Sequence, residues 1–368
     1  MKILKIVLFN LLAAFILLEG GMRVYYAATD KAPPHEDLSV VREWKWVKAR
    51  LADGKANFDA RFVYDAHAGW RNAPNIDATP EHHGRIRTNS HGMRNHEEFP
   101  LERTPGKRRL LIVGDSYSFG HGVSNEETYA YRLAELLPDW EVMNLAVSAT
   151  GTDQNYLMYE HHGRQFKPDV VLLGFYVLDY NRNTYSFRDY AKPMFVPQAD
   201  GKLQLTNVPV TAPEALIEQY RNGSKKIGGW HYSYALATFQ QVLSDYIKRD
   251  RNEGSLGRRT LGGIMELFVA NVRANGATPV WVNFPVRDIL DEEESKYRVI
   301  SDFAAAEARR LGMPVLNLEP VYRDHLDRHP DIETLWRPKD IGGHMNAEGN
   351  RVTAVAIRDL LQSEGLLK

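Results

Sequence analysis

The chain contains no cysteine, so disulfide frameworks, cysteine-ligated zinc, iron–sulfur clusters and a thiol nucleophile are excluded. It also lacks an excess of charge of either sign, because 46 Lys and Arg face 47 Asp and Glu for a net charge of −1. That balance excludes a globally basic nucleic-acid-binding protein. No repeat of solenoid period is present, which argues against a repeat architecture.

What remains is an ordinary globular composition, with 43% hydrophobic and 25% charged residues over 368 positions. Such a chain is too balanced for disorder and long enough for one large domain with additions, or for two small domains. Residues 29–108 show no long periodic pattern apart from a predicted helix over 38–51. We therefore interpret 29–108 as a lead-in that packs on a main domain.

The N-terminus carries an apolar segment that predicts membrane attachment. Lys2 and Lys5 precede an apolar run over residues 6–18, and Tyr25 and Tyr26 extend it as an interfacial aromatic pair. Thirteen residues would form a signal-peptide core, whereas a spanning helix needs about 20. We favour an uncleaved anchor over 1–28; a cleaved signal peptide and a buried soluble helix are the alternatives. The two lysines place the rest of the chain outside the cytoplasm.

From residue 109 short apolar runs alternate with helical patterns, as in α/β domains. Strands are predicted at 110–113, 142–147, 169–176, 279–284 and 314–318. Helices are predicted between and after them at 126–137, 153–165, 256–274, 291–311 and 347–361. Strands joined through helices indicate a mainly parallel sheet with helices on both faces. The main domain is predicted over 109–368, with an insertion at 179–255 that contains helices at 213–220 and 234–247.

The strongest chemical signal follows the first of these strands. Gly114 and Gly120 flank a turn that offers Ser116 at the carboxyl edge of the sheet, where open α/β sheets bind ligands. A serine hydroxyl is a weak nucleophile until a neighbouring imidazole takes its proton. The alternative is that Ser116 only caps a helix.

A second signal precedes the last helix. A histidine there, His344, returns to the same carboxyl edge as Ser116, and Asp340 is close enough in sequence to orient its imidazole. The alternative is a polar helix start with Asn346 as the cap. The convergence of the two segments on one edge favours a nucleophile and its base.

These segments resemble the SGNH (GDSL-like) hydrolases, in particular a membrane-anchored bacterial branch with a long lead-in. The matching motifs are Gly69-Trp70-Arg71 and 88–94 in the lead-in, Gly114-Asp115-Ser116 with Gly120, 144–148 with 151–154, and Gly343-His344 with Gly349-Asn350. The resemblance implies a flavodoxin-like three-layer α/β/α sandwich, a Ser-His-Asp or Ser-His site and acyl-ester chemistry. Related proteins are carbohydrate esterases, lipases and polysaccharide O-acetyltransferases.

The chain departs from the family pattern at three places. Ala149 stands where the second block offers a glycine amide to the oxyanion, and Leu178 stands where the third block offers an asparagine side chain. Losing one such donor costs about 10²–10³ in rate, and Asn181 or Asn183 is the candidate to reach in instead. The spacing from Asp340 to His344 is one residue longer than the usual one.

We therefore expect an extracytoplasmic serine esterase acting on an acyl ester, an O-acetyl ester of a carbohydrate in the first instance. Ser116 attacks, His344 moves the proton and Asp340 orients His344, while the Ser116 and Ala149 amides hold the oxyanion with help from Asn183. A polysaccharide O-acetyltransferase using the same serine is one alternative. A non-catalytic binding or structural subunit of a membrane assembly is another, which leaves a membrane-protein partner open. No cofactor, metal or nucleic-acid partner is expected.

Overall fold

The computed structural model describes residues 2–29, 37–53, 59–80, 84–226, 233–251, 255–291, 296–338 and 343–367. The strands are β1 (Phe62–Asp65), β2 (Gly69–Asn72), β3 (Asp77–Ala78), β4 (Ile86–Arg87), β5 (Arg108–Gly114), β6 (Trp140–Asn144), β7 (Val170–Tyr176), β8 (Met194–Pro197), β9 (Leu203–Thr206), β10 (Thr278–Phe284) and β11 (Val315–Asn317).

The α-helices are α1 (Lys2–Thr29), α2 (Leu38–Asp53), α3 (Ser116–Phe119), α4 (Tyr129–Leu136), α5 (Thr152–Met158), α6 (Asp179–Arg182), α7 (Pro213–Arg221), α8 (Tyr234–Arg251), α9 (Ser255–Ala274), α10 (Arg287–Asp291), α11 (Lys296–Arg310), α12 (Leu318–Arg328) and α13 (Ala347–Ser363). Short 3₁₀ or π turns cover Asn125–Glu127, Tyr159–Gly163, Arg164–Phe166 and Ile332–Thr334.

Five strands form one parallel sheet in the order β11-β10-β7-β5-β6. The central strands β5 and β7 are buried along nearly their whole length, which explains why they read as continuous apolar runs. Their register sets Gly114 opposite Gly174 at the carboxyl edge. The predicted α/β sandwich is confirmed, and all five predicted strands are present within a few residues of their expected bounds.

Helices cover both faces of this sheet, because alternate strand side chains point to opposite sides. On one face α4, α12 and α13 share an apolar cluster with Leu110, Ile112 and Leu172. On the other face α5 and α9 contact each other and the strands, and Phe268 of α9 meets Tyr159 edge to face. The three layers leave the carboxyl edge free to carry a site.

The structure adds elements that periodicity did not predict. Helix α12 and the hairpins β1–β2, β3–β4 and β8–β9 fall in stretches interpreted as loops. Strands of two to four residues contain too few alternating apolar and polar positions to be recognised, so the sequence pattern does not predict hairpins of this length. The predicted helix over 291–311 corresponds to α11, whereas α10 shares only Asp291 with it; residues 292–295 lie outside the described part.

Contacts within the chain divide it into two compact units. The larger unit, Phe58–Thr184, Lys192–Val210 and Ser255–Lys368, holds the five-stranded sheet and includes most of the predicted lead-in. The smaller unit consists of Met1–Asn57, Tyr185–Ala191 and Thr211–Gly254. The boundaries drawn from sequence at 28, 108 and 179–255 stay predictions.

In the smaller unit, α1 is long and apolar enough to cross a membrane by length and composition. Its Glu19 carboxylate accepts hydrogen bonds of 2.8 Å from the Ser233 hydroxyl and from the Ala235 backbone amide, at the first turn of α8. Elsewhere in this unit Val47 of α2 packs with Leu216 of α7.

Candidate active site

Ser116 begins a short helix directly behind strand β5. The cap of this helix is Asp115, whose Oδ1 accepts the Tyr117 amide at 2.9 Å, so the interpretation of Ser116 as the N-cap is wrong. The helix lasts one turn and ends at Gly120, which has φ +83°. A side chain at Gly114 would come within 2.9 Å of the Gly174 carbonyl oxygen, so glycine is needed where the chain turns.

His344 reaches Ser116 across 228 residues of sequence. The distance from His344 Nε2 to Ser116 Oγ is 2.9 Å, within the range for a nucleophile and its base. The His344 carbonyl accepts the Arg337 amide at 2.8 Å, which fixes the backbone of the segment. Asn346 caps α13, accepting the Gly349 amide at 2.9 Å, so the cap named in the alternative interpretation is present together with the His344–Ser116 contact. Asp340 lies outside the described residues.

Two rings flank the His344 imidazole. The ring centroids of Tyr117 and His121 lie 5.0 and 4.5 Å from that of His344. Both residues belong to the nucleophile segment, so the serine and the packing around its partner come from one stretch of chain. Ser116 itself is 7% exposed, which leaves the hydroxyl only a narrow access to solvent.

Ala149 adopts a left-handed conformation, with φ +72°. Its turn follows β6 and is tied to the nucleophile strand by the Val147 amide, which donates to the Gly114 carbonyl at 3.0 Å. An L-residue with a side chain pays about 1–2 kcal/mol for this conformation. The geometry explains why the related family uses glycine here.

Replacing Ala149 by glycine is expected to raise the free energy of unfolding by about 0.5–1 kcal/mol. Relief of the left-handed strain exceeds the added entropy of the unfolded chain. Denaturant unfolding of the full chain in detergent measures the difference. The control is Ala146→Gly on the same loop: Ala146 is buried and has no positive φ, so this change should destabilise. A loss of stability in Ala149→Gly would contradict the prediction.

Leu178 and Asn183, the two positions considered for a side-chain donor to the oxyanion, have different surroundings. Leu178 packs against the cluster of Val177 and Ile289, so it offers only apolar surface. Asn183 is fully buried, and its Oδ1 accepts the Asp153 amide at 3.0 Å. The Asn183 Nδ2 has no hydrogen-bond partner among the described residues. The structure therefore brings Asn183 to Asp153, and shows no hydrogen bond between the Asn183 and Ser116 side chains.

A charged network next to Ser116 was not predicted from the sequence. Arg182 Nη1 donates to Asp115 Oδ2 at 2.8 Å, to Asp179 Oδ1 at 2.6 Å and to the Thr150 carbonyl at 2.9 Å. Burial lowers the pKa of Arg182, but the two carboxylates outweigh burial and raise it. Burial and the nearby Asp115 raise the pKa of Asp179 well above its usual range. The only sequence signal was an arginine three residues after an aspartate at a strand end.

Arg94 joins the lead-in to the nucleophile segment. Its guanidinium donates to the carbonyl oxygens of Phe119, Gly120 and Val123 at 2.9, 2.5 and 2.5 Å, and to Asn125 Oδ1 at 3.2 Å. Burial lowers the pKa of Arg94 to about 9, so the group remains charged at neutral pH.

The β1–β2 hairpin region supports the loop that carries Ala149. Trp70 Nε1 donates to the Ser148 carbonyl at 3.2 Å, and Asn72 Nδ2 donates to the Ala146 carbonyl at 3.0 Å. Trp70 belongs to the lead-in motif that resembled the SGNH branch, and Asn72 follows that motif directly. The lead-in therefore positions two loops of the site, a role that sequence patterns alone did not reveal.

A cavity of about 190 Å³ is lined by residues next to Ser116 and His344 in the chain. Tyr117 and Gly343, the chain neighbours of the pair, form part of its wall. Tyr117 also stacks on Tyr176 at 4.3 Å, and burial raises the pKa of Tyr117 to about 12, which keeps its hydroxyl protonated. The remaining walls are Leu178, Val286, Arg287, Asp288 and Tyr297.

Two adjacent histidines, His161 and His162, contact residues of the β1–β2 hairpin. His161 stacks on His67 at 3.8 Å, and His162 Nε2 contacts Asp65 Oδ2 at 2.7 Å. Within the described ranges no group of three or more His, Asp or Glu could hold a metal ion.

Comparisons with known proteins give one matching family and several similar solved structures. Residues 112–352 match the model of the GDSL-like lipase/acylhydrolase family, and no curated protein matches the chain. LAE5, an alpha/beta hydrolase enzyme from the metagenome of Lake Arreo in Spain, is 14% identical over 73% of this chain and 99% of its own, with a TM-score of 0.42. TesA is 13% identical over 70% and 99%, with a TM-score of 0.41. A catalytic mutant of Axe2, an acetylxylan esterase from Geobacillus stearothermophilus, is 14% identical over 71% and 96%, with a TM-score of 0.40.

Proposed function

The chain belongs to the GDSL-like lipase/acylhydrolase family, and on that premise we propose that its Ser116 attacks the O-acetyl ester of a carbohydrate outside the cytoplasm. Membership of the family makes the protein a serine ester hydrolase. The single observation that carries the assignment of the nucleophile is the 2.9 Å contact between Ser116 Oγ and His344 Nε2.

The proposed reaction uses Ser116 and His344 in two half-reactions. His344 takes the proton of Ser116 as its oxygen adds to the acyl carbonyl, and returns that proton to the leaving sugar oxygen. The Ser116 and Ala149 amides are proposed to hold the oxyanion, and Asp340 to orient His344. Water, activated by the same imidazole, then cleaves the acyl-serine and releases acetate.

The cavity that Tyr117 and Gly343 line supports a short acyl group on a sugar. Its volume of about 190 Å³ leaves little room for a long chain, and a pocket of limited size discriminates against extra methylenes by about 10–200-fold. Tyrosine rings at Tyr176 and Tyr297 offer apolar faces for a sugar, while Arg287 and Asp288 offer hydrogen bonds to hydroxyl groups.

The test compares two esters of one oligosaccharide with the full chain in detergent. We expect free acetate from the acetylated form and at least about tenfold lower kcat/KM on an otherwise identical octanoyl form. Labelled acetyl donor is then supplied with and without an unacetylated oligosaccharide. Label recovered on the added oligosaccharide would replace hydrolysis by O-acetyl transfer. Turnover of the octanoyl ester alone would refute the short-acyl proposal.

We propose that α1 anchors the protein in a membrane with the catalytic unit on the extracytoplasmic side. The support is its apolar length and the lysines Lys2 and Lys5 at its first turn, which stay cytoplasmic by the positive-inside rule. Resistance to carbonate extraction, with digestion of residues after 30 by protease added outside intact spheroplasts, would support this. Protection from that protease would refute it.

A further inference from the structure

We propose that Arg182 is a positioning residue: it holds Asp115 away from the proton of Ser116 and cancels the charge of Asp115 beside the forming oxyanion. In this way it offsets the donor that Leu178 does not provide. The inference rests on the proposed role of Ser116 as nucleophile and assigns a function to a residue that the motifs leave unassigned.

The first observation concerns one oxygen atom. Asp115 Oδ2 lies 3.4 Å from Ser116 Oγ, so it is the acceptor that competes with His344 for the serine proton. The same oxygen accepts the hydrogen bond from Arg182 Nη1 at 2.8 Å. Because the guanidinium occupies that oxygen with a shorter, charge-assisted bond, the serine hydroxyl is left to point at His344 Nε2, 2.9 Å away.

The second observation is where the guanidinium lies. Besides Asp115, which precedes Ser116, Arg182 Nη1 contacts the carbonyl of Thr150, which follows Ala149. The group therefore bridges the two loops whose amides are proposed to hold the oxyanion. An unpaired carboxylate between those loops would repel the oxyanion in a poorly solvated site.

The third observation is the charge balance of the cluster. Asp115, Asp179 and Arg182 are all buried, and two carboxylates against one guanidinium would leave a negative charge. Burial and Asp115 raise the pKa of Asp179, and Arg182 is the one cation among the described residues that bonds both carboxylates. Removing Arg182 would thus expose Ser116 to one uncompensated carboxylate.

The charged and titratable groups around His344 define what a pH profile would report. Facing the imidazole are Tyr117 and His121, with Asp115 and Arg182 beyond Ser116, and Arg287 and Asp288 in the cavity that Gly343 lines. Among these, Arg182→Met changes the balance at Asp115 directly. An anion left near an imidazole favours the imidazolium.

The experiment uses the full chain in detergent as wild type, Arg182→Met, Arg182→Lys and the double variant Arg182→Met/Asp115→Asn. The readouts are kcat and KM for an activated acetyl ester and the pH dependence of labelling by a fluorophosphonate. We expect Arg182→Met to lower kcat by about 10²–10³-fold with little change in KM, and to raise the apparent pKa of the profile by about one unit or more. Arg182→Lys should lose less than about tenfold.

The double variant decides between charge cancellation and a merely structural role. With no carboxylate beside Ser116, it should recover at least about tenfold in kcat over Arg182→Met and return the apparent pKa to that of wild type. If Arg182→Met does not fold, the double variant carries the test alone and must lie within about tenfold of wild type. A wild-type pH profile in Arg182→Met, or no recovery in the double variant, overturns the proposal.

Failure here is distinguishable from failure of the proposed function. If Ser116→Ala were labelled and active like wild type, the nucleophile assignment would be wrong. If Ser116→Ala were inactive while Arg182→Met matched wild type in kcat and pH profile, only the role of Arg182 would be wrong.

Discussion

Replacing Ser116 by alanine is expected to lower kcat for ester hydrolysis by about 10⁴–10⁶-fold and to abolish fluorophosphonate labelling. The reason is that covalent catalysis is lost at once, because a methyl group can neither attack the acyl carbon nor share a proton with His344. Removing His344 should cost a similar factor, since it leaves the hydroxyl at 2.9 Å without its base. The measurement is turnover of an activated acetyl ester by the full chain.

How the losses in kcat combine in a double variant tests the pairing of Ser116 with His344. Groups that act as one unit are strongly non-additive, so Ser116→Ala/His344→Ala should be no slower than either single variant. The matched control is Ser118→Ala: Ser118 lies on the same helix α3 but is fully buried, so this change should leave kcat within about threefold. If the kcat losses of the two single variants multiplied in the double variant, Ser116 and His344 would not act together. Labelling of Ser116→Ala by the fluorophosphonate would also contradict their pairing.

Sequence reasoning could predict the sheet and the pairing of Ser116 with His344 for a physical reason. Buried parallel strands leave continuous apolar runs, and the ends of such strands meet at one edge however far apart they lie in the chain. A glycine-flanked serine after the first strand and a histidine before the last helix therefore had to converge. The geometry now gives the distance between them, whereas their catalytic roles stay proposals.

The supporting contacts could not be predicted, because no periodicity encodes them. Arg182 meets Asp115 across 67 residues, and Arg94 meets the loop after α3 through backbone carbonyls, which every residue possesses. The left-handed turn at Ala149 left a trace only as a difference from the glycine of the family. Asp115 belongs to a motif that the sequence shows, but its role as the cap of α3 follows only from the structure.

The lead-in illustrates how a segment without periodicity can still control a site. Trp70 and Asn72 donate to carbonyls of the loop that bears Ala149, and Arg94 donates to the loop that follows Ser116. All of these are bonds to backbone carbonyl oxygens, so they fix main-chain positions rather than side-chain rotamers. Catalytic geometry tolerates errors of only about half an ångström. The hydrogen bonds from the lead-in are therefore needed to keep the two loops of the site in position.

Replacing Arg94 by methionine is accordingly expected to lower the free energy of unfolding by about 3–5 kcal/mol. A buried ion pair can be exchanged for apolar residues when both partners are changed together. Here the partners are the carbonyls of Phe119, Gly120 and Val123, which no substitution removes. Methionine fills the volume but donates no hydrogen bond. The Gly120 carbonyl keeps the Val123 amide at 3.5 Å, whereas the Phe119 and Val123 carbonyls lose the guanidinium donor, at about 1–3 kcal/mol each.

Denaturant unfolding of the full chain in detergent, followed by tryptophan fluorescence, measures this loss. The control is Arg85→Met in the same lead-in, whose ion pair with Asp77 is about half exposed on both sides; exposed pairs contribute about 0–1 kcal/mol. Because the loop held by Arg94 carries His121 against His344, the folded fraction of Arg94→Met should also label more slowly with a fluorophosphonate. Equal stability of Arg94→Met and Arg85→Met would show that water or rearranged backbone satisfies the Phe119 and Val123 carbonyls, and that the lead-in is not a clamp on the nucleophile segment.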